Sequence, residues 1–183
     1  ELPRPKGILE AVDERLATLD GRARIWLERL AIVGSRFEAA VVANAWNGVP
    51  VGTREAAFSH LVRTDWIVPS GSRYRFAEPI ERDEILAKMS ARRRRRGHPA
   101  VARALRELET RLGRRPSFRR AFHLREGESL EELLSILPGM LRRLASAGHP
   151  HRLATLAGYD PEAAVTLWQK MGAEGGSSRP PEF

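Results

Sequence analysis

Apolar residues recur at helical spacing from the start of the chain. Ile8, Leu9, Val12, Leu16 and Leu19 share one stripe, closed by Asp20-Gly21. Ile25, Trp26, Leu27, Leu30 and Val33 form a second stripe, and Gly34-Ser35 stops it. Residues 37–46, rich in Ala and Val, predict a third helix that ends at Asn47-Gly48. A Pro50-Val51-Gly52 turn leads to Thr53, a good N-cap for a fourth helix with Ala56, Ala57, Leu61 and Val62 on one face. The period then shortens: Trp66-Ile67-Val68 and Tyr74-Arg75-Phe76 flank Pro69-Ser70-Gly71-Ser72, which predicts a two-strand hairpin. Helices followed by a hairpin in this order describe a winged helix, and the fourth helix takes the recognition-helix place.

The second half is patterned as helices throughout. Residues 79–89 predict one, and Ser90 caps a short one over 91–96. His98-Pro99 restarts a helix that carries Val101, Leu105, Leu108 and Leu112. Segments 117–126, 130–147 (interrupted by Pro138-Gly139), 150–157 and 161–171 follow, each punctuated by Gly or Pro. Helices of this length joined by tight turns suit tetratricopeptide-like antiparallel hairpins. The fold class expected is therefore mainly α: a winged helix with a small β-hairpin, followed by a tetratricopeptide-like helical region. The boundaries expected are 1–18 for a linker and leading helix, 19–90 for the winged helix, 91–172 for the helical repeats and 173–183 for a disordered tail rich in Gly, Ser and Pro.

Charge changes this picture only in one region. The 183 residues carry 31 Lys and Arg against 23 Asp and Glu, a net +8. Residues 1–91 balance at 13 against 13, whereas 92–125 hold 13 Arg opposed only by Glu107 and Glu109. The first half therefore has no overall bias toward phosphate. Cysteine is absent, which removes disulfides, thiolate metal sites and a cysteine nucleophile, and suits a reducing, cytoplasmic setting. No apolar run approaches the ~20 residues of a membrane span, so no membrane partner is expected. The chain opens Glu-Leu-Pro without a Met and reads as a segment of a longer polypeptide.

Few residues carry chemistry. No G-x-x-x-x-G-K-[ST] loop occurs, so the chain is not expected to hydrolyse nucleotide alone. His149 and His151, two apart in a turn, do not share a helix face with each other or with Asp160, and no metal site is expected. Asp83-Glu84 and Glu131-Glu132 are adjacent pairs that point apart on a helix, unlike a catalytic pair in a cleft. Ser59-His60 has nothing to orient the base. No catalytic residue, enzyme activity or cofactor is expected. The pentad Arg92, Arg93, Arg94, Arg95 and Arg96 reads as an interdomain or partner contact, with alkyl stems over a junction and guanidinium groups toward an acidic partner. Arg119, Arg120 and His123 are further candidates on the helical-repeat surface. For DNA, the alternative partner, the winged helix offers Thr53, Arg54, Ser59 and Arg63 on the fourth helix with Arg73 and Arg75 on the wing. Glu55, Asp65 and the neutral first half work against that alternative.

Taken in order, these segments resemble a known family. The run from Leu19-Asp20-Gly21-Arg22 through Ile25-Trp26-Leu27 to Ser35-Arg36-Phe37 resembles the start of the winged-helix domain of STAND signalling ATPases, which include MalT-like and LuxR-type bacterial regulators. Ser90 to Leu105 resembles the basic segment that opens the family's first superhelical helix, and Ala121-Phe122-His123-Leu124-Arg125-Glu126-Gly127 resembles a turn of its tetratricopeptide-like repeats. The family closes the wing with a His that contacts the β-phosphate of ADP; Glu78 stands at that place here, and a carboxylate repels phosphate. The resemblance implies a non-catalytic regulatory and protein-interaction segment of a larger signalling or transcription-regulator protein. Its partner would be an adjacent nucleotide-binding domain absent from this chain, or another protein. Effector binding on the repeats would change how the winged helix docks. The alternative is a DNA-binding winged-helix transcription regulator with an Arg-rich accessory clamp.

Overall fold

The computed structural model describes residues 6–146. The expected segments 150–157 and 161–171, the tail 173–183 and the trio His149, His151 and Asp160 lie outside the described residues. The fold is mainly α with one small antiparallel sheet. It divides into two compact units, Glu1–Arg114 and a second from Arg115 onward.

The first unit begins with α1 (Lys6–Thr18) and α2 (Gly21–Val33). Asp20 separates them: its carboxylate accepts the Ala23 N–H at 2.7 Å and so caps α2. That bond holds the Asp20 carboxyl below its ordinary value. Gly34 ends α2 at φ 141, a conformation that favours glycine, and releases the chain into β1 (Arg36–Phe37). The sequence pattern placed Phe37 at the head of the third helix. It is instead a buried strand residue paired with Tyr74, and α3 starts later, at Ala39–Ala45. Two residues are too few to show a strand period, which hid β1.

Helix α4 (Val51–Arg63) also starts earlier than expected. Pro50, not Thr53, is its N-cap, and no side chain caps it; Thr53 lies within the first turn. Strands β2 (Ile67–Ser70) and β3 (Arg73–Phe76) form the hairpin, with Gly71 at φ 60 in the two-residue loop where glycine avoids strain. The sheet order is β1-β3-β2, so the hairpin gains a third strand and Pro69 sits on an edge, where its missing N–H is tolerated. The order α2-β1-α3-α4-β2-β3 is winged-helix topology.

An aromatic cluster fills the space between sheet and helices. Phe37 stacks on Tyr74 with centroids 6.1 Å apart, Phe58 meets Tyr74 edge-on at 5.7 Å, and Trp26 links Phe58 to Trp46. Leu27, Leu30, Val41, Leu61, Ile67 and Val101 are fully buried around it.

Helix α5 (Pro79–Lys88) opens on Glu78 and Pro79. Helix α6 (Ala91–Arg111) is capped by Ser90, whose hydroxyl accepts the Arg93 N–H at 3.3 Å. The sequence pattern predicted a break at Gly97-His98-Pro99, but α6 runs unbroken through it. The buried residues His98, Val101, Ala102, Ala104 and Leu105 continue one face across Pro99, and that packing outweighs the lost backbone bond. Gly97 permits the approach: a Cβ there would lie 2.4 Å from Ile32 Cδ1.

The second unit shows α7 (Phe118–Glu126) and α8 (Leu130–Ser146) packed together. Ser117 caps α7 through the Arg120 N–H. Pro138 does not interrupt α8 as expected, because Leu133, Leu137 and Met140 keep a buried stripe at i, i+4 and i+7 across it.

Candidate functional site

Only part of the winged-helix face that the sequence offers for DNA is exposed to solvent. On α4, Ala57 and Leu61 define the buried side, and Arg54 lies on the same i, i+3, i+7 stripe, half-buried. Thr53, Ser59 and Arg63 are exposed, together with Glu55 and Ala56. That outward face carries one positive and one negative charge.

The wing cations are already engaged. Arg73 Nε pairs with Glu38 Oε1 at 2.9 Å, across from β3 to the residue before α3. Arg75 Nη1 donates to the carbonyl oxygens of Phe76 at 3.0 Å and Ala77 at 2.9 Å, which fixes the exit of β3. Reading a base edge requires a free fork that reaches into a groove. Of the six residues proposed for readout, three are held or turned inward.

The arginine pentad sits at the start of α6 with all five side chains exposed. Its members point in different directions. Arg93 bridges to α2, with Nη1 at 3.0 and 2.9 Å from the two Glu28 oxygens. This is the contact that alkyl-and-charge packing against a neighbour predicts, but the neighbour is a helix of the same unit.

The helical-region candidates fall differently from the surface role expected for them. Arg120 is 7% exposed and His123 1% exposed. Arg120 Nη2 pairs with Glu132 Oε1 at 2.7 Å and so ties α7 to α8. His123 packs beside the Phe122 ring, 5.2 Å between centroids. Both residues sit on the apolar i, i+3, i+4 stripe of Ala121 and Leu124, which turns them inward. Arg119 is half-exposed.

The most developed polar site was not anticipated from the sequence. Arg15 of α1 reaches three other parts of the unit. Its Nη1 pairs with Glu81 Oε1 on α5. Its Nη2 donates to the Thr64 and Asp65 carbonyl oxygens, at 3.0 and 3.1 Å, where α4 ends and Asp65 turns at φ 54. Its guanidinium lies 4.3 Å from the Trp66 ring centroid. Glu81 is 1% exposed, and its second oxygen accepts the Glu78 N–H at 3.2 Å. Burial pushes the Glu81 carboxyl up, against the opposing pull of the Glu78 amide and of Arg15. Lys88 adds a second tie to α1 through Asp13 and is also paired with Glu84, which together raise its ammonium. Two signals were available in the sequence. Arg15 adjoins the apolar Val12–Leu16 stripe, and Glu81 stands three residues after Glu78 and two after Pro79, the spacing of a capping box.

Glu78, placed where the resembled family has a phosphate-contacting His, is the exposed N-cap of α5. Among the described residues no three His, Cys, Asp or Glu side chains converge as a metal ligand set. No helix among the described residues is long and apolar enough to cross a membrane. Comparison with protein-family models, with curated proteins and with solved structures finds no match to this chain.

Proposed function

We propose that this chain is a non-catalytic regulatory segment of a larger STAND-type signalling protein, in which the winged helix serves for packing and docking rather than for reading DNA. The observation that carries the reading is the state of the wing: Arg73 is paired with Glu38 and Arg75 with its own strand exit. With Arg54 on the core side of α4, the outward face keeps Glu55, Ser59 and Arg63, which have no net charge for a phosphate backbone. Such a face suits contact with a neighbouring protein domain.

Two further features support a regulatory role. Arg15 joins α1, the element that leads into the unit, to the end of α4 and to α5, so displacement of α1 would reach the winged helix directly. The second compact unit supplies helices on which an effector would act. The mechanism is two-state: effector binding on the helical region alters how the winged helix docks on its neighbour, a nucleotide-binding domain or another protein. The setting proposed is cytoplasmic.

The test is a selection of the 183-residue chain on a random-sequence duplex pool. The regulatory reading expects no enriched consensus. Enrichment of one motif, lost in the Ser59→Ala/Arg63→Gln variant, would replace it with a DNA-reading regulator.

A further inference from the structure

We propose that the exposed face of α6 is a docking surface for the phosphate backbone of a nucleic acid, bound without regard to sequence. This goes beyond the regulatory reading and stands independently of it. The unit that binds is not the pentad but a stripe that exists only because α6 continues through Pro99. At 100° per residue, Arg92, Arg96, Arg103 and Arg106 fall within an arc of about 80° on the side opposite His98, Val101 and Leu105. All four are exposed. From Arg92 to Arg106 the stripe runs about 21 Å along the helix.

The positions between them on this arc, Pro99 and Thr110, carry no charge, and of the two acidic residues of α6 Glu109 is buried on the other side. Only Glu107 borders the stripe. Arg92, Arg96 and Arg103 have no ion-pair partner among the described residues, whereas Arg93, off the stripe, is bound to Glu28.

The occupant follows from what the face lacks. A protein partner is expected to bury an apolar centre ringed by polar groups. Among the described residues the exposed large hydrophobics are Ile25, Val51, Leu112, Phe118, Leu130 and Leu134, none of them on this arc. A surface of guanidinium groups alone matches a line of phosphates, which each fork can grip with two hydrogen bonds. One strand of a duplex presents a phosphate about every 3.4 Å of axis, so a stripe of about 21 Å meets more phosphates than its four arginines need.

The experiment is an anisotropy titration of the full chain with a labelled 20-base-pair mixed-sequence duplex across a salt series, with a labelled poly-glutamate peptide in parallel. The three contacts of Arg92, Arg96 and Arg103 predict a slope of log K against log salt near −2.7, or a loss of affinity of about 40-fold between 50 and 200 mM. The Arg96→Gln/Arg103→Gln variant is expected to bring the slope to about −0.9. An equal charge change elsewhere, Arg22→Gln/Arg24→Gln on exposed positions of α2, is expected to leave it near the parent value. Circular dichroism checks that both variants stay folded. Absence of duplex binding at 50 mM salt would overturn the proposal. So would equal losses from the two variants, which would mean diffuse charge. Poly-glutamate bound as tightly as the duplex would assign the stripe to an acidic protein instead.

Discussion

Replacing Arg15 with Met strands the Glu81 carboxylate, and the structure sets a ceiling on the damage. Glu81 is 1% exposed, whereas the Arg15 side chain is 39% exposed, so the two partners do not depend on each other equally. An unpaired buried carboxylate costs several kcal/mol, but the protein can avoid that cost by protonating it. At pH 7, protonating a carboxyl whose ordinary value is 4.5 costs about 3.4 kcal/mol, from 2.5 pH units at about 1.36 kcal/mol each. At pH 5 the same escape costs about 0.7 kcal/mol. The lost contact with the Trp66 ring adds about 0.5–1 kcal/mol at either pH.

Arg15→Met is therefore expected to destabilise the first unit by at most about 4 kcal/mol at pH 7 and at most about 1–2 kcal/mol at pH 5. Adding Glu81→Gln removes the stranded charge, and the double variant is expected within about 1–1.5 kcal/mol of the parent at both pH values. Glu81→Gln alone leaves Arg15 in partial contact with water and with two carbonyls, so its cost is small. The parent chain already bears part of this cost at pH 7, which keeps the penalty below that ceiling. A carboxyl raised in the folded state contributes stability that is fully present below 4.5 and is lost as pH rises through its folded value. Urea unfolding followed by tryptophan fluorescence reads the effect, since Trp26, Trp46 and Trp66 all belong to the first unit. An Arg15→Met penalty that is equal at pH 5 and pH 7, or that Glu81→Gln fails to relieve, would refute the reasoning.

Two other perturbations test the packing and the caps. Gly97→Ala places a Cβ 2.4 Å from Ile32 Cδ1, and overpacking is expected to outweigh the better helix propensity, for a net loss of about 1 kcal/mol; Ile32→Val in that background deletes the clashing methyl and is expected to restore stability, measured by thermal unfolding of the four chains of the cycle. Asp20→Ala is expected to lower the melting temperature near neutral pH but not in strong acid, because the depressed carboxyl contributes stability above its ordinary 3.8 that is lost as pH falls through its folded value; melting curves at pH 7 and pH 2.5 check it.

Amphipathic stripes made most of the helices legible. Val12 and Leu16, Leu27 and Leu30, and Ala57 and Leu61 all lie where their spacing placed them. The failures have particular causes. Strand β1 was missed because Arg36-Phe37 is too short to alternate, and its pairing with Arg75-Tyr74 is a contact at long range. Pro99 and Pro138 predict breaks because local propensity disfavours an internal proline by ~3 kcal/mol. Across Pro138 the apolar stripe keeps its phase, so the period there is better evidence than the punctuation, whereas before Pro99 stand only Ala91, five arginines, Gly97 and His98, with no apolar period to read. Residue type predicts a surface place for Arg120 and His123, although Ala121 and Leu124 beside them mark that face as inward. At the candidate site, residue identity showed which groups could contact phosphate, but not that Arg73 and Arg75 were already committed.

The same distinction decides what the arginines mean. Five in a row are conspicuous in a sequence, but a helix distributes consecutive residues around its axis, so adjacency does not make a surface. A surface comes from residues three, four or seven apart, and these are inconspicuous in the text of the chain. Arg15 and Glu81 lie 66 positions apart and form the tie between α1 and α5, whereas Arg92 and Arg93, one apart, face different surroundings. Among the described side chains of α1, Val12 and Leu16 are the buried apolar ones, and Arg15 and Asp13 add charged contacts. An element held in that way loosens with rising salt and with loss of one buried pair, while the core formed by α2, α4 and the sheet stays intact. If the chain acts as proposed, α1 is where a neighbouring domain would pull with least cost to the fold. The Arg15 and Glu81 variants then measure the strength of that attachment.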